Sequence, residues 1–341
     1  MTNLFRLLEC INNVFFLGNK NRGINLVEVV TANLDYFRYG NVRVLIAESV
    51  RAPREAIRQA LFELGIRKFT MAEDLHGARE ALATGGFDLC IVSPYLANER
   101  VAPTVTEVRQ SDLGDDPFVP VIMHTFEPTI DVMQEIVSAG VDVVVTLPIS
   151  KKKLTTALNT LTDKRKPFVV TATYVGPDRR HNARPGAQEG IQIKVPNALR
   201  RRVKGDEGGD SPTKILQMVR DSQVECYANR IVLNIGKIAG LVACQNAGTL
   251  ESWLVDLHET TVNLNKRISN TRHHDHQVLC EPLIEIVGQC LEGGIPSGRD
   301  LEVMQQLALA IEVGFKRDST SSVEAALDIS RAVRKLPAAA E

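Results

Sequence analysis

Five short runs of mostly apolar residues recur between residues 42 and 145, and they limit the possible folds more than any other feature of the sequence. Short runs without a polar face are typical of strands that are buried on both sides of a sheet. Segments with apolar residues at helical spacing separate the runs, and another such segment follows the last run. The predicted strands cover residues 42–47, 69–72, 87–92, 119–123 and 141–145.

Strands that alternate with helices predict a single parallel sheet with helices on both sides, because each connection is then a right-handed crossover. The expected fold class is α/β, with a five-stranded, doubly wound parallel sheet. In such sheets the functional site lies at the carboxyl ends of the strands. The residues that directly follow Ala47, Val92, Met123 and Val145 are therefore the first candidates for function.

The composition changes after the last predicted helix of this α/β domain, which is expected at residues 41–166. Residues 167–210 are rich in Arg, Gly, Pro, Asp and Asn, and they are predicted to form a linker. Residues 1–40 are expected to be an N-terminal extension that is a short helix or is loosely ordered.

The C-terminal part of the chain is predicted to be helical. Ser211 and Pro212 have the residue types that favour the start of a helix. Apolar stripes at helical spacing then follow one another, the last of them at residues 323–333. Because the connections between the stripes are short, residues 211–336 are predicted to form an antiparallel, all-α helical bundle.

Charge and cysteine usage exclude some functions. The formal net charge of the 341-residue chain is -1, which gives no general attraction to nucleic acid or anionic lipid. The six cysteines include no Cys-x-x-Cys pair, so they predict reduced thiols in a cytoplasmic protein rather than a zinc site. The apolar run at residues 14–17 is too short to span a bilayer, and we expect no membrane association.

Three motifs and the order of the predicted strands carry a resemblance to a known family. Residues 118–125 read FVPVIMHT, residues 139–142 read AGVD, and residues 147–150 read LPIS. With these motifs the chain resembles, strand by strand, the receiver domain of bacterial two-component response regulators. The resemblance implies a flavodoxin-like receiver fold for the α/β domain.

Receiver chemistry depends on five side chains at the carboxyl ends of the strands. Two acidic residues and an aspartate hold Mg²⁺, the aspartate accepts the phosphoryl group, and a hydroxyl and a lysine contact its oxygens. By the resemblance, these positions fall on Glu48 and Ser49, on Ser93, on Thr125 and on Leu147. One carboxylate and one hydroxyl remain. We therefore expect no Mg²⁺ binding, no other cofactor, no aspartyl phosphorylation and no enzymatic activity.

Two further features near these positions have structural interpretations. Pro148 follows Leu147 as a proline follows the family's lysine, and the resemblance implies a cis peptide bond there. Asp112, Asp115 and Asp116 precede the fourth strand at the opposite end of the sheet, and we interpret them as loop residues.

The expected function is that of a two-component signalling protein with a receiver that acts through protein–protein contacts. The resemblance places the contact face on the fourth helix, fifth strand and fifth helix, at residues 130–139, 143–147 and 154–161. Other two-component signalling proteins are the expected partners, and a homodimer through the same face is a further possibility. Binding of a partner, instead of phosphorylation, would then shift the receiver-like domain between its conformations.

Two alternative functions stay open. The helical bundle suggests a histidine phosphotransfer protein with His258 as the candidate, although the residues that follow His258 lack that family's pattern. The basic run at residues 199–204 suggests a nucleic-acid-associated regulator, but a solvated linker edge is the favoured interpretation. His273, His274 and His276 are dense enough to suggest a metal site, but we expect them to be exposed on a connection between helices.

Overall fold

A computed structural model describes residues 39–126, 128–179, 191–205, 211–244 and 247–316. Most of the predicted N-terminal extension and the predicted helical stripe at residues 323–333 lie outside the described residues. None of the described helices is both long and apolar enough to cross a membrane.

The predicted α/β fold is confirmed. A five-stranded sheet has the order β2-β1-β3-β4-β5, and every neighbouring pair of strands is parallel. This is the order of a flavodoxin-like receiver fold. The strands are β1 (Arg43–Ala47), β2 (Lys68–Ala72), β3 (Leu89–Val92), β4 (Val121–Thr125) and β5 (Val143–Thr146). The connecting helices are α1 (Arg51–Glu63), α2 (Leu75–Thr84), α3 (Ala102–Arg109) and α4 (Ile130–Ser138), and α5 (Lys151–Asp163) follows the last strand.

Both faces of the three central strands, β1, β3 and β4, are buried, which explains why their sequences lack a polar side. Val44 and Ile46 point into a core with Leu61 of α1 and Leu158 of α5. Successive residues of a strand face opposite sides, so the alternate positions of β1 are buried in a second core. That second core contains Leu45 and Ala47 of β1, Met123 of β4, and residues of α2, α3 and α4.

Part of the predicted linker forms a second, antiparallel sheet. Its strands are β6 (Phe168–Val170), β7 (Val175–Pro177) and β8 (Ile191–Ile193), in the order β8-β6-β7. A short helix, α6 (Ala198–Lys204), then lies against α5. Leu199 is completely buried among the core residues that α1 and α5 also contribute. This burial holds α6 on the α/β domain.

Arg201, Arg202 and Lys204 of the basic run are exposed, as the prediction of a solvated edge requires, but two of these cations also form ion pairs. The guanidinium of Arg202 lies 3.1 Å from a carboxylate oxygen of the buried Asp88. The ammonium of Lys204 lies 2.5 Å from Asp163 at the end of α5. Because Leu199 anchors α6, these side chains are brought next to acidic residues of the α/β domain, and fewer cations of the run are left to contact nucleic acid.

The predicted C-terminal helical region is confirmed. Helix α8 packs against α7 and α9, and α10 packs against α7. The apolar stripes of the four helices form one core, which includes Ile231, Leu257, Leu283 and Leu307. The helices are α7 (Pro212–Ala243), α8 (Leu250–Ile268), α9 (Cys280–Gly293) and α10 (Gly298–Lys316).

The small sheet joins the bundle to the amino-terminal edge of the large sheet. Phe118 before β4 and Phe168 of β6 share a core with Ile215 and Val219 of α7. On the same side, Asp112 accepts from Arg267 and Lys266 of α8 at 2.5 and 3.1 Å. Asp112 is thus engaged in ion pairs with the bundle. The carboxyl ends of the strands, where the candidate site is expected, lie on the opposite side of the large sheet.

Two glycines allow the small sheet to approach the large one closely. Gly140 has a φ of 82°, and a Cβ on it would lie 2.8 Å from the carbonyl oxygen of Val175. A Cβ on Gly176 would lie 2.8 Å from the Cα of Gly140. These contacts account for the glycine of the motif at residues 139–142 and for Gly176 of β7, since any larger residue would push the sheets apart.

We predict that Gly140→Ala lowers the free energy of unfolding by about 2–4 kcal/mol, because it adds a steric clash to the strain of a positive φ. Urea unfolding followed by circular dichroism measures this. Gly205→Ala is the matched control, since Gly205 has a φ of 65° but open space around its Cα, and about 1 kcal/mol is expected there. Equal losses for both variants would contradict the proposed close approach.

Candidate functional site

The residues predicted to form the site come together at the carboxyl edge of the large sheet. The amide of Ser93 donates to the carbonyl of Ala47 at 2.9 Å, so the ends of β1 and β3 are adjacent. The amide of Leu147 donates to the carbonyl of Thr125 at 2.8 Å, which joins the ends of β4 and β5 in the same way. Glu48, Ser93 and Thr125 therefore lie on neighbouring strands of one edge.

Glu48 is buried, and its carboxylate is already engaged by this chain. One oxygen accepts the backbone amide of Val50 at 2.7 Å, and the Ser93 hydroxyl also donates to the carboxylate. Burial raises the pKa of Glu48, although these hydrogen bonds and the nearby charge of Arg54 oppose the change. The side chain thus closes the turn after β1.

His124 is a member of this site that sequence reasoning did not assign. It is completely buried, and its Nε2 lies 3.3 Å from Glu48 Oε2. Neither ring nitrogen has a hydrogen-bond partner among the described residues, because the contact with Glu48 lacks suitable geometry. Burial lowers the pKa of His124 to about 4, so the ring is neutral at pH 7 and the contact is not an ion pair. A histidine inside a buried apolar strand was the available signal.

Two cations border the site without replacing the missing lysine. Arg54 of α1 donates to the carbonyl of Glu48 at 2.8 Å and pairs with Glu73 at 2.9 Å. Lys153 of α5 donates to the carbonyl of Thr146 at 2.8 Å and to that of Pro148 at 3.1 Å. Both side chains thus donate their hydrogen bonds to backbone carbonyls of the loops after β1 and β5. The peptide bond before Pro148 is cis, as the resemblance implied.

The residues at this edge do not fit a magnesium ion. Mg²⁺ requires near-octahedral oxygen ligands and is usually held by carboxylates together with water. Glu48 is the carboxylate at the site, and its oxygens face the Val50 amide and the His124 ring. Ser49 and Ser93 offer neutral hydroxyls only. The part of the chain that the structure describes contains no cluster of three or more His, Cys, Asp or Glu side chains suited to a metal.

Large apolar side chains are exposed around the same edge. Phe126, which follows β4, is 70% exposed, and Ile130 at the start of α4 is 75% exposed. Val50 after β1 and Tyr95 after β3 are exposed as well. We call these four residues the apolar rim. Exposed apolar side chains that follow several strands of one sheet are candidates for contact with other proteins.

The histidine-rich connection of the bundle differs from the expectation. His274 is exposed as predicted, but His273 and His276 are buried, so the prediction is wrong for these two residues. A 3-10 helix at His274–Leu279 places both rings beneath α10. There His273 stacks on Phe315 with ring centroids 4.4 Å apart. Its Nε2 also lies 3.2 Å from the Glu225 carboxylate.

His258, the candidate for phosphotransfer, lies in the middle of α8 and is half-buried. The exposed Val255 and Val262 are each within one or two turns of it on the same helix. Its role in phosphotransfer stays a prediction.

Comparison with known proteins found similar solved structures. No protein-family model and no curated protein matches this chain. Similar solved structures include the chemotaxis protein CheY4 of Vibrio cholerae, with 21% identity over 35% of this chain and 96% of that one, at a TM-score of 0.32. The receiver domain of sensor histidine kinase PA1611 from Pseudomonas aeruginosa is 19% identical over 35% and 94%, also at 0.32. The RcsB response regulator of Salmonella typhimurium is 12% identical over 66% and 92%, again at 0.32.

These likenesses are of low identity, and the strand order defines the fold independently of them. The α/β domain is receiver-type in fold, and a helical bundle follows it. The bundle's suggested likeness to histidine phosphotransfer domains stays a prediction.

Proposed function

We propose that this chain is a two-component signalling protein whose receiver-type domain acts by binding other proteins and is not phosphorylated. The observation that carries the proposal is the buried contact between Glu48 and His124, beside Ser93, at the position where a receiver holds metal and phosphate. The expectation that Mg²⁺ and other cofactors are absent belongs to the same proposal.

The charges at this edge argue against a phosphoryl acceptor. Glu48 accepts a hydrogen bond from Ser93 and could take its proton, but a transferred phosphoryl group also needs compensating positive charge. Leu147 stands where a lysine would supply it, and His124 is neutral. A phosphoryl group on Ser93 would therefore lie beside the Glu48 carboxylate, which would repel it.

The apolar rim supports binding of a protein at the same edge. The bundle and the small sheet lie at the opposite edge, so the described residues leave Phe126 and Ile130 open to solvent. A partner that covered the rim would favour whichever conformation of the domain presents it, as phosphate does in a receiver. Other two-component signalling proteins are the partners that the resemblance implies.

We predict that incubation with acetyl phosphate, or with beryllofluoride and Mg²⁺, leaves both the mass of the protein and the amide resonance of Thr125 unchanged. Ser93→Asp alone is expected to give the same result, because the lysine and the second acidic residue are still missing. A variant that combines Ser49→Asp, Ser93→Asp and Leu147→Lys restores the full set of charges and is the positive control. A specific beryllofluoride shift in the unmodified chain would overturn the proposal.

We further predict that Phe126→Asp with Ile130→Asp abolishes capture of a two-component partner by the full-length chain. Phe62→Asp on α1 is the matched control, since Phe62 is an exposed aromatic residue outside the rim. Circular dichroism checks that the variants are folded. Unchanged capture by the rim variant would exclude this surface as the binding site.

A further inference from the structure

The bundle carries exposed apolar residues where α7 and α8 lie side by side. Leu233 of α7 is 54% exposed, and Val255 and Val262 of α8 are 40% and 41% exposed. Surface helices usually carry polar residues on their outer side. Glycine inside a helix is destabilising, yet α7 has Gly236 and Gly240 on the same side. A Cβ on either glycine would meet open space, so no contact among the described residues explains them.

Hydrogen bonds between α7 and α8 determine which residues lie at the same level. The side-chain amide of Gln217 near the start of α7 donates to the carbonyl of Asn270 after the end of α8 at 3.1 Å. Further along α7, the side-chain amide of Asn234 donates to the carboxylate of Asp256 at 2.7 Å. The two helices are therefore antiparallel, and Asn234 of α7 is level with Asp256 of α8.

Leu233 and Val255 lie on the same side of this helix pair. Each of them directly precedes a residue that joins the two helices, and each joining residue is followed by a core residue, Ile235 on α7 and Leu257 on α8. Successive residues of an α-helix are rotated by about 100°. The residue before the joining position therefore faces away from the core, since the residue after it faces into the core. Both exposed side chains thus belong to one outer surface.

We call this surface the outer bundle face, and its residues have the same spacing on the two helices. Residues at offsets of zero, four and seven share one face of a helix, and both helices follow this pattern. On each helix the first residue is apolar and the second is charged, positive on α7 and negative on α8. Both charged residues are exposed, and neither forms an ion pair among the residues that the structure describes. The face consists of Leu233, Lys237 and Gly240 on α7 and of Val255, Glu259 and Val262 on α8.

A twofold axis through the centre of the outer bundle face makes these positions complementary. Because α7 and α8 are antiparallel, the rotation places α7 of one copy over α8 of the other and brings equal offsets together. The apolar pair at the axis then meets the pair of the second copy. Lys237 of each copy comes opposite Glu259 of the other, with opposite charge. Gly240, which has no side chain, comes opposite Val262 and leaves room for it.

We propose that this chain forms a homodimer through the outer bundle face, with α7 of each copy packed on α8 of the other. The occupant is a second copy because one surface carries an apolar centre, both charges at the same offset and a glycine at the offset of a valine. An interface between identical subunits requires this self-complementarity. The outer bundle face lies on the bundle and differs from the contact face expected on α4, β5 and α5.

Reversing the two charges tests which residues pair. Sedimentation equilibrium of the full-length chain at up to about 100 μM measures the dissociation constant of the dimer. Lys237→Glu alone, or Glu259→Lys alone, places like charges opposite each other twice in a dimer. Each variant is expected to raise the dissociation constant by about tenfold or more at low salt. An equimolar mixture of the two variants is expected to dimerise as tightly as the unmodified chain, because the heterodimer contains both ion pairs.

A substitution at the apolar centre tests the position of the interface. Leu233→Asp is expected to make the chain monomeric, and Leu309→Asp is the matched control, since Leu309 is an exposed leucine of α10 outside the outer bundle face. Circular dichroism checks that the variants are folded. An unmodified chain that is monomeric throughout the concentration range would overturn the inference. A dimer that persists in Leu233→Asp, or a mixture of the charge variants that dimerises no more tightly than either variant alone, would overturn it as well.

Discussion

Replacing Arg109 by methionine is expected to lower the free energy of unfolding by about 3–5 kcal/mol, the loss typical of a broken buried ion pair. Arg109 is completely buried, and its guanidinium lies 2.9 Å from the Asp142 carboxylate. The same group donates to the carbonyls of Gly140, Pro117 and Val119 at 2.7–2.8 Å. The substitution would leave all three carbonyls without this donor and Asp142 short of one cation. Urea unfolding followed by circular dichroism measures the loss.

Arg79→Met is the matched control for Arg109→Met. Arg79 pairs with Glu107 at 2.7 Å, but both side chains are partly exposed to water. An exposed ion pair contributes about 1 kcal/mol or less, since water screens its charges. A similar small loss at Arg109 would show that the network around Asp142 does not hold α3 against the segments before β4 and β5. Burial already lowers the pKa of Arg109, which indicates how strongly the site depends on its partners.

Lowering the pH from 7 to 4 is expected to lower the free energy of unfolding by about 3 kcal/mol through the ionisation of His124. In the folded chain the pKa of His124 is lowered to about 4, against an ordinary value of 6.5. Between these values the unfolded chain binds the proton and the folded chain does not, so stability falls as the pH falls. Each unit of difference corresponds to about 1.4 kcal/mol. Glu48 acts in the opposite direction, because its raised pKa lets the folded chain take up a proton first.

The comparison of the unmodified chain with His124→Leu isolates the contribution of the histidine. The difference in unfolding free energy between the two proteins should shift by about 3 kcal/mol, against the unmodified chain, from pH 7 to pH 4. Met123→Leu is the control, since it alters the same strand without a titrating group. A constant difference across this range would mean that His124 is not buried as a neutral ring beside Glu48.

The α/β domain was predictable because its central strands are buried on both faces. Residues of β1 such as Val44 and Leu45 contact different cores, so neither face of the strand can carry a run of polar residues. The positions of Glu48, Ser93 and Thr125 followed from the same pattern, since parallel strands end at one edge. The burial of Leu199 was not predictable, because a single leucine in a basic segment has no periodicity that would indicate a core contact.

The sequence by itself determined the five strands and the parallel α/β class of the first domain, the helical character of the region that follows and the lack of an aspartate at Ser93. These properties depend on local periodicity and on residue identity. Tertiary structure alone decided that His124 contacts Glu48, that His273 stacks on Phe315 and that Arg109 joins α3 to the segments before β4 and β5. Each of these contacts links elements whose relative positions depend on packing of the whole chain, which local sequence patterns do not specify. The missing aspartate at Ser93 is therefore one part of an edge whose remaining carboxylate is engaged within the protein.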